Sequence, residues 1–213
     1  MIKAIFHIHT EYSNHGNILI DDLEKVCIDN KIDVVFITEH NTIQPAKEAQ
    51  KLFKKTKIVI GEEIRTSEGE IIGIFLKNEI LSGLAPEETI SLIRAQGGIA
   101  VVPHPYDILR FETIQPRALN RILHSIDIIE IFNSRNIFQN ANKRADNLAN
   151  EYNKYKIVGS DAHTRSELTN SLIFMEDFTS SKEFMNCLPK AKFVCRKSGL
   201  WPHVVSKYIK FFK

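Results

Sequence analysis

The residues whose types and spacing could do chemistry here are mostly histidines and carboxylates. His7 and His9 are separated by one residue, so on an extended strand both imidazoles point to the same side. His15, His40 and His104 follow, Glu62 and Glu63 form an acidic pair, and Asp161 and His163 repeat the one-residue spacing. Imidazole and carboxylate are ligands for zinc, manganese or iron, and a site that keeps an open coordination position is a catalytic one. One H-x-H is a weak signal; joined to His15, His40, His104 and D-x-H it makes coincidence a poor explanation. A serine nucleophile is disfavoured, since Ser160 lacks the G-x-S-x-G setting. The three cysteines, Cys27, Cys187 and Cys195, lack C-x-x-C spacing, which disfavours a thiolate zinc site and a disulfide framework.

These residues must be positioned by the elements around them. Short apolar runs predict strands over 4–8, 33–37, 57–60, 70–76, 99–102, 127–132, 156–158, 172–175 and 193–195. Amphipathic stretches predict helices over 18–30, 44–55, 87–96, 117–124, 136–152 and 181–187, with a last helix from about 202. Such alternation implies βαβ units and a mainly parallel sheet, closed as a barrel or doubly wound. In this reading His7, His9 and His104 end strands, while His40, Glu62, Glu63, Asn133, Asp161 and His163 follow strands. Loops past the C-terminal ends of parallel strands share one face, so these residues are expected to meet in one pocket.

With 43% hydrophobic and 25% charged residues, the chain has globular proportions that exclude wholesale disorder, collagen-like repeats and a coiled-coil rod. Its 213 residues fit a single α/β domain over 1–213. The net charge of +2 conceals an asymmetry: residues 190–213 hold seven Lys/Arg and no Asp/Glu, which leaves −5 on the remainder. An acidic body without an aromatic-plus-basic stripe does not suit a stable nucleic-acid partner. There is no signal-peptide pattern and no apolar run of bilayer length, so a cytoplasmic protein with reduced thiols is expected. The C-terminal helix places Val204, Val205, Tyr208, Ile209 and Phe212 to one side, with Lys207, Lys210 and Lys213 interleaved. Basic amphipathic helices can bind membranes, but an outer helix of the fold also needs an apolar face, so packing is expected and no membrane partner. His124 is expected to be exposed, Cys27 to lie in the core, and His203, far from the motifs in sequence, to pack or meet water.

Six short segments occur in order: HIHTEYSNHG at 7–16, ITEHNT at 37–42, GEEI at 61–64, PHP at 103–105, EIFNSR at 130–135 and GSDAH at 159–163. Together they resemble the PHP (polymerase and histidinol phosphatase) family of metal-dependent phosphoesterases. The resemblance implies a distorted seven-stranded (β/α) barrel of TIM-like type, with the metal motifs inside 7–163 and residues 164–213 completing the barrel. It implies two or three divalent ions, zinc, manganese or iron. His7, His9, Glu63 and Asp161 would hold the first; Glu63 would bridge to a second that also takes His104 and Asn133; His15, His40 and His163 would hold a third. Glu63 is preferred to Glu62 because the family pattern is G-x-E. Glu63, Asp161 and His104 would carry the catalysis.

The activity so implied is hydrolysis of a small phosphomonoester by a metal-activated hydroxide, and the His15 arrangement makes histidinol phosphate one candidate substrate. Arg65, Arg135 and Arg165 each stand two residues past an implied ligand, and planar guanidinium groups suit phosphate recognition. Two other functions remain open: a phosphodiester reaction on nucleotides or single-stranded nucleic acid, and a catalytically silent, metal-stabilised interaction module. Loss of several ligands would favour the module, but almost all are present. Four positions depart from the family pattern, one of them Asn14, which with His15 follows the Ser of the first loop where many members have an Asp. Ile5 replaces an Asp and so removes a possible supporting carboxylate, Glu39 replaces an Asp, and Asn133 replaces a His with a weaker ligand.

Overall fold

Among the described residues, runs rich in Val, Ile and Phe form nine strands, because branched and aromatic side chains fit a pleated surface buried on both sides. They are β1 (Ile2–Ile8), β2 (Val34–His40), β3 (Lys57–Thr66), β4 (Gly69–Ile74), β5 (Ile99–Val102), β6 (Ile128–Asn133), β7 (Tyr155–Gly159), β8 (Ser171–Met175) and β9 (Lys192–Cys195). The helices are α1 (Ile20–Asn30), α2 (Gln44–Leu52), α3 (Pro86–Ala95), α4 (Pro116–Ile122), α5 (Gln139–Glu151), α6 (Ser181–Cys187) and α7 (Leu200–Phe212). This computed structural model describes residues 1–212, with the backbone only at Gln139, Leu200 and Phe212. Lys213 of the expected basic stripe lies outside the described residues.

One sheet holds all nine strands in the order β7-β6-β5-β4-β3-β2-β1-β8-β9. The count corrects the seven implied by family resemblance and agrees with the nine apolar runs. Four pairings are parallel, β1 with β2, β2 with β3, β5 with β6 and β6 with β7. The other four are antiparallel, so the sheet is not mainly parallel and departs from a TIM barrel, whose strands are all parallel. The cause is local. Instead of stopping at residue 60, β3 runs on to Thr66, turns at Gly69 with φ 120°, and returns as β4. Glu62 and Glu63 therefore lie inside a strand and not in a loop after it.

The sheet nearly closes. Past β7, Ser160 N–H donates to Phe6 O (3.0 Å), Ala162 N–H to His7 O (3.1 Å), and His9 N–H to Ala162 O (3.0 Å). The same edge of β1 thus takes β8 along Ile2–Ala4 and the 160–162 segment along its other half.

Inside, Phe6, Phe36, Ile72, Val101, Ile128 and Ile157 form an apolar filling, joined by Phe178 and Phe184. Outside, α1 and α2 cover Ile5, Ile8, Val35 and Ile37, while α3, α4 and α5 cover Ile64, Ile71, Val102 and Ile129. Cys27 is buried in the former cluster and His124 is exposed, both as expected. On α7, Pro202 and Ser206 are buried and Val205 and Ile209 half-buried, so the helix packs. Val204 and Tyr208, expected on the packing side, are 53% and 64% exposed.

Candidate metal centre

The pocket lies where β1, β2, β5, β6 and β7 end. In β1 the pairing with β2 shifts register between Ile5 and Ile8, and His7 adopts φ 64°. This bulge lets His7 and His9 face the pocket while Ile5 and Ile8 pack outside. Position 5 therefore points away from the site, and a carboxylate there would not support it. In the β2–β3 ladder His40 stands directly beside Glu63. His104 (φ 26°) and Asp161 (φ 50°) also have left-handed backbones, which non-glycine residues adopt rarely.

Glu63 is the hub. Its Oε1 lies 3.3 Å from His7 Nε2 and 3.1 Å from His104 Nε2; its Oε2 lies 3.3 Å from His9 Nε2 and 3.2 Å from His40 Nδ1. Asp161 Oδ1 lies 3.8 Å from His7 Nε2, 3.6 Å from His9 Nε2 and 3.4 Å from His163 Nδ1. His15 is half-buried, its ring centroid 4.4 Å from that of His163 and 5.1 Å from that of His40. Four sets of donor atoms lie within 4.8 Å of one another: His9–His40–His163, His7–His9–Glu63, His7–His104–Asp161 and His40–Glu63–Glu70.

These residues fit metal ions on a test independent of any family. Buried polar atoms are ordinarily paired. Here His7 Nε2, His9 Nε2, His40 Nε2, His104 Nδ1, His163 Nε2, Glu63 Oε2 and Asp161 Oδ1 are all buried without a hydrogen-bond partner. Bare nitrogens and carboxylate oxygens converging in this way are what divalent cations satisfy.

The electrostatics of the protein alone show the same tension. Burial works against the His9 cation, but hydrogen bonds with Glu39 and Glu63 outweigh it and raise its pKa to about 9. His7 is likewise raised, with Glu63, Glu130 and Asp161 overcoming burial. Burial also opposes ionisation of Glu63, yet His7, His104 and His9 hold it well below the usual carboxylate range. Asp161 is lowered against burial by Arg110, then by His7 and His163. Burial keeps His163 and His15 neutral, aided by His9 and Arg135 at the first and by His40 and His9 at the second, and lowers His15 to about 3.

Carboxylates behind the cluster orient it. Glu130 accepts from His104 N–H (2.8 Å) and Asn133 Nδ2 (3.0 Å) and bonds His7 Nδ1 (2.8 Å). Gly159 leaves it room, since a methyl group there would collide with Glu130 Oε1 and stand 2.9 Å from His7 Cβ. Glu39 accepts from Thr10 N–H (2.7 Å), Thr10 Oγ1 (2.6 Å) and His40 N–H (3.0 Å), and lies 3.4 Å from His9 Nδ1. Groups in such positions fix the tautomer and aim of ligating imidazoles. Replacing Glu130 with Gln is expected to weaken metal binding roughly 10- to 100-fold, measured by competition with a chromogenic chelator. An unchanged affinity would show that His7 needs no such partner.

Asn133, expected as a ligand, lies between two of the site's carboxylates. Its amide NH2 donates to Glu130 and to Asp161 Oδ2 (both 3.0 Å), and its Oδ1 accepts from Arg135 N–H (3.0 Å). Asn133 thereby joins two carboxylates as a donor. Glu62 points away from Glu63, as strand alternation requires, and Oε2 accepts from Ile80 N–H (3.0 Å); burial and then Glu79 raise its pKa to about 7, against the pull of that bond.

The three expected phosphate-binding arginines separate. Arg65 is exposed on β3. Arg165 pairs with Asp22 of α1 at 3.8 Å, and its side chain is 56% exposed outside the ligand cluster. Arg135 is buried, with Nη2 3.1 Å from Ser206 Oγ of α7 and Nε 3.5 Å from Glu167 Oε1. Arg110, which carries no motif signal, contacts Asp161 directly. Glu70 is another addition, 3.5 Å from His40 Nδ1 and 3.9 Å from His104 Nε2. His203, far from the motifs in sequence, has its pKa lowered by burial and then by Arg135 and Arg110.

Comparison with known proteins places this geometry. The PHP domain model matches residues 6–184. Two uncharacterized proteins of Methanocaldococcus jannaschii are similar in sequence. One is 43% identical over 147 residues, covering 62% of this chain and 82% of the relative; the other is 34% identical over 200 residues, covering 88% and 79%. Among solved structures, a two-domain protein of Bacteroides vulgatus, containing a predicted PHP-like metal-dependent phosphoesterase, superposes with a TM-score of 0.73 at 16% identity. That match covers 92% of this chain and 65% of the other, so this chain spans just under two thirds of that protein. The match over most of its length shows that the chain belongs to the PHP domain family.

Proposed function

We propose that the chain is a metal-dependent phosphoesterase acting on a small phosphomonoester. The observation that carries this is Glu63, a buried carboxylate ringed by four imidazole nitrogens at 3.1 to 3.3 Å, beside a second carboxylate, Asp161, that faces the same space. His7, His9, Glu63 and Asp161 would hold one ion, Glu63 with His104 and Glu70 a second, and His15, His40 and His163 a third. Zinc, manganese or iron held there would act as a Lewis acid and lower the pKa of water toward neutrality.

The protein's own residues do the rest. Glu130 and Glu39 keep the imidazoles aimed inward. The apolar filling that includes Phe6 and Phe36 closes the barrel and excludes water from one side. Arg110 and Arg135 place positive charge at the pocket for an anionic substrate. Residues 1–213 would work as one unit, in the cytoplasm and without a nucleic-acid or membrane partner; no described helix is long and apolar enough to cross a membrane.

Elemental analysis of the purified protein, joined to a phosphatase panel with added manganese, tests this reading. More than one transition-metal ion per chain is expected, with turnover lost in His9→Ala and Asp161→Ala. Metal-free, stable protein, or equal turnover by wild type and both variants, would refute it.

A further inference from the structure

We propose that Arg110 is the anion receptor of the pocket: its guanidinium rests on Asp161 and transfers to the phosphate group of an incoming substrate. The inference rests on the metal-dependent reading above and names the residue that selects for the charge of the substrate. Arg110 lies in the connection between β5 and α4. Its Nη2 bonds Asp161 Oδ2, and its Nε is held by Asp107 Oδ2 at 3.0 Å. Asp107 is fixed in turn, its Oδ1 accepting from Leu109 N–H (3.1 Å) and its carbonyl from Thr113 Oγ1 (2.9 Å). The neighbours Leu109 and Phe111 are 53% and 100% exposed, so the arm reaches inward from the protein surface.

Charge explains why the contact is a resting place. Asp161 Oδ1 already faces His7, His9 and His163 without a hydrogen bond, in position for an ion. An ion held by Asp161 would draw off part of the negative charge that holds Arg110, while a phosphate dianion would offer the planar guanidinium two oxygens at once. Neither existing bond uses Nη1, which leaves a donor for the ligand. Among Arg65, Arg110, Arg135 and Arg165, Arg110 is the one in contact with a ligand carboxylate.

Calorimetric titration of purified protein with inorganic phosphate tests this, using wild type, Arg110→Ala, Arg110→Lys, and Arg94→Ala as a distant control that pairs with Asp127. Arg110→Ala is expected to bind phosphate about tenfold or more weakly. Arg110→Lys should fall between, since an ammonium lacks the fork, and the control should match wild type. Metal content by elemental analysis should be equal in all four. Phosphate affinity of Arg110→Ala within about twofold of wild type would overturn the proposal, as would loss of metal from that variant, which would make Arg110 part of the metal site's framework. A wild type that carries no metal refutes the metal-dependent reading instead, and the same phosphate comparison still decides the role of Arg110.

Discussion

Glu63→Gln is expected to strip the pocket of metal and to lower phosphoester turnover by about a thousandfold or more. The size follows from the position. One carboxylate faces four imidazole nitrogens, two on each oxygen, and none of the four distances exceeds 3.3 Å. Two anionic oxygens can join two cations; an amide has one neutral oxygen, and its NH2 would point donors at nitrogens that must remain free to ligate. The side chains are nearly equal in volume, so the apolar filling beneath is left intact and a circular-dichroism spectrum should match wild type. Elemental analysis and kcat on the substrate found by the panel are the measurements. Full metal content with turnover within about tenfold of wild type would remove Glu63 as the bridge. The contrast with Arg110→Ala is informative, because that variant is expected to lose phosphate affinity and keep its metal.

How much of this was legible beforehand depends on what kind of signal each residue leaves. His7, His9, Glu63, Asp161 and His163 stand in short, dense motifs, and the structure brings them into one cluster. Their supports leave weaker traces. Glu130 is a charged residue inside the apolar run 127–132, and a buried charge is uncommon without a partner, so the strand itself contained the hint. Glu70 becomes visible only with the β3–β4 hairpin, which sets it opposite Arg65 and within reach of His40. Arg110 sits in an irregular connection with no periodicity, 51 residues from the aspartate that it touches, and no local pattern announces such a contact. Asn133 was readable as a polar group at the end of a strand; which way its amide faces depends on Glu130 and Asp161 around it. The strand count shows a different limit. Local apolar runs mark nine strands, whereas pairing direction is a long-range property, and the β3–β4 turn reverses the sheet where alternation alone suggests another crossover.

Removing the metal is expected to lower the melting temperature by more than about 10 °C, and the loss should grow as pH rises from about 6.5 to 9. An ion present at 100 to 1,000 times its Kd contributes roughly 3 to 4 kcal/mol, and each kcal/mol is worth about 2–4 °C in a chain of this length. Two such ions exceed 10 °C. The pH dependence comes from His9. In metal-free protein its pKa is raised from 6.5 to about 9 by Glu39 and Glu63 acting against burial, so its cation stabilises the fold fully below pH 6.5, and that contribution is lost as pH rises through 9. Glu39, lowered to about 2 by His9 despite its burial, contributes above its unfolded value of 4.5 and is lost only in acid, so it does not enter this window. The loaded protein has the opposite slope, because an imidazole must shed its proton to ligate, and metal binding strengthens as pH rises. Two thermal-melt series over pH 6 to 9, with and without chelator, therefore separate progressively. A chelator that leaves the melting temperature unchanged, or a gap that narrows with rising pH, would show that this buried histidine cluster is not stabilised by metal.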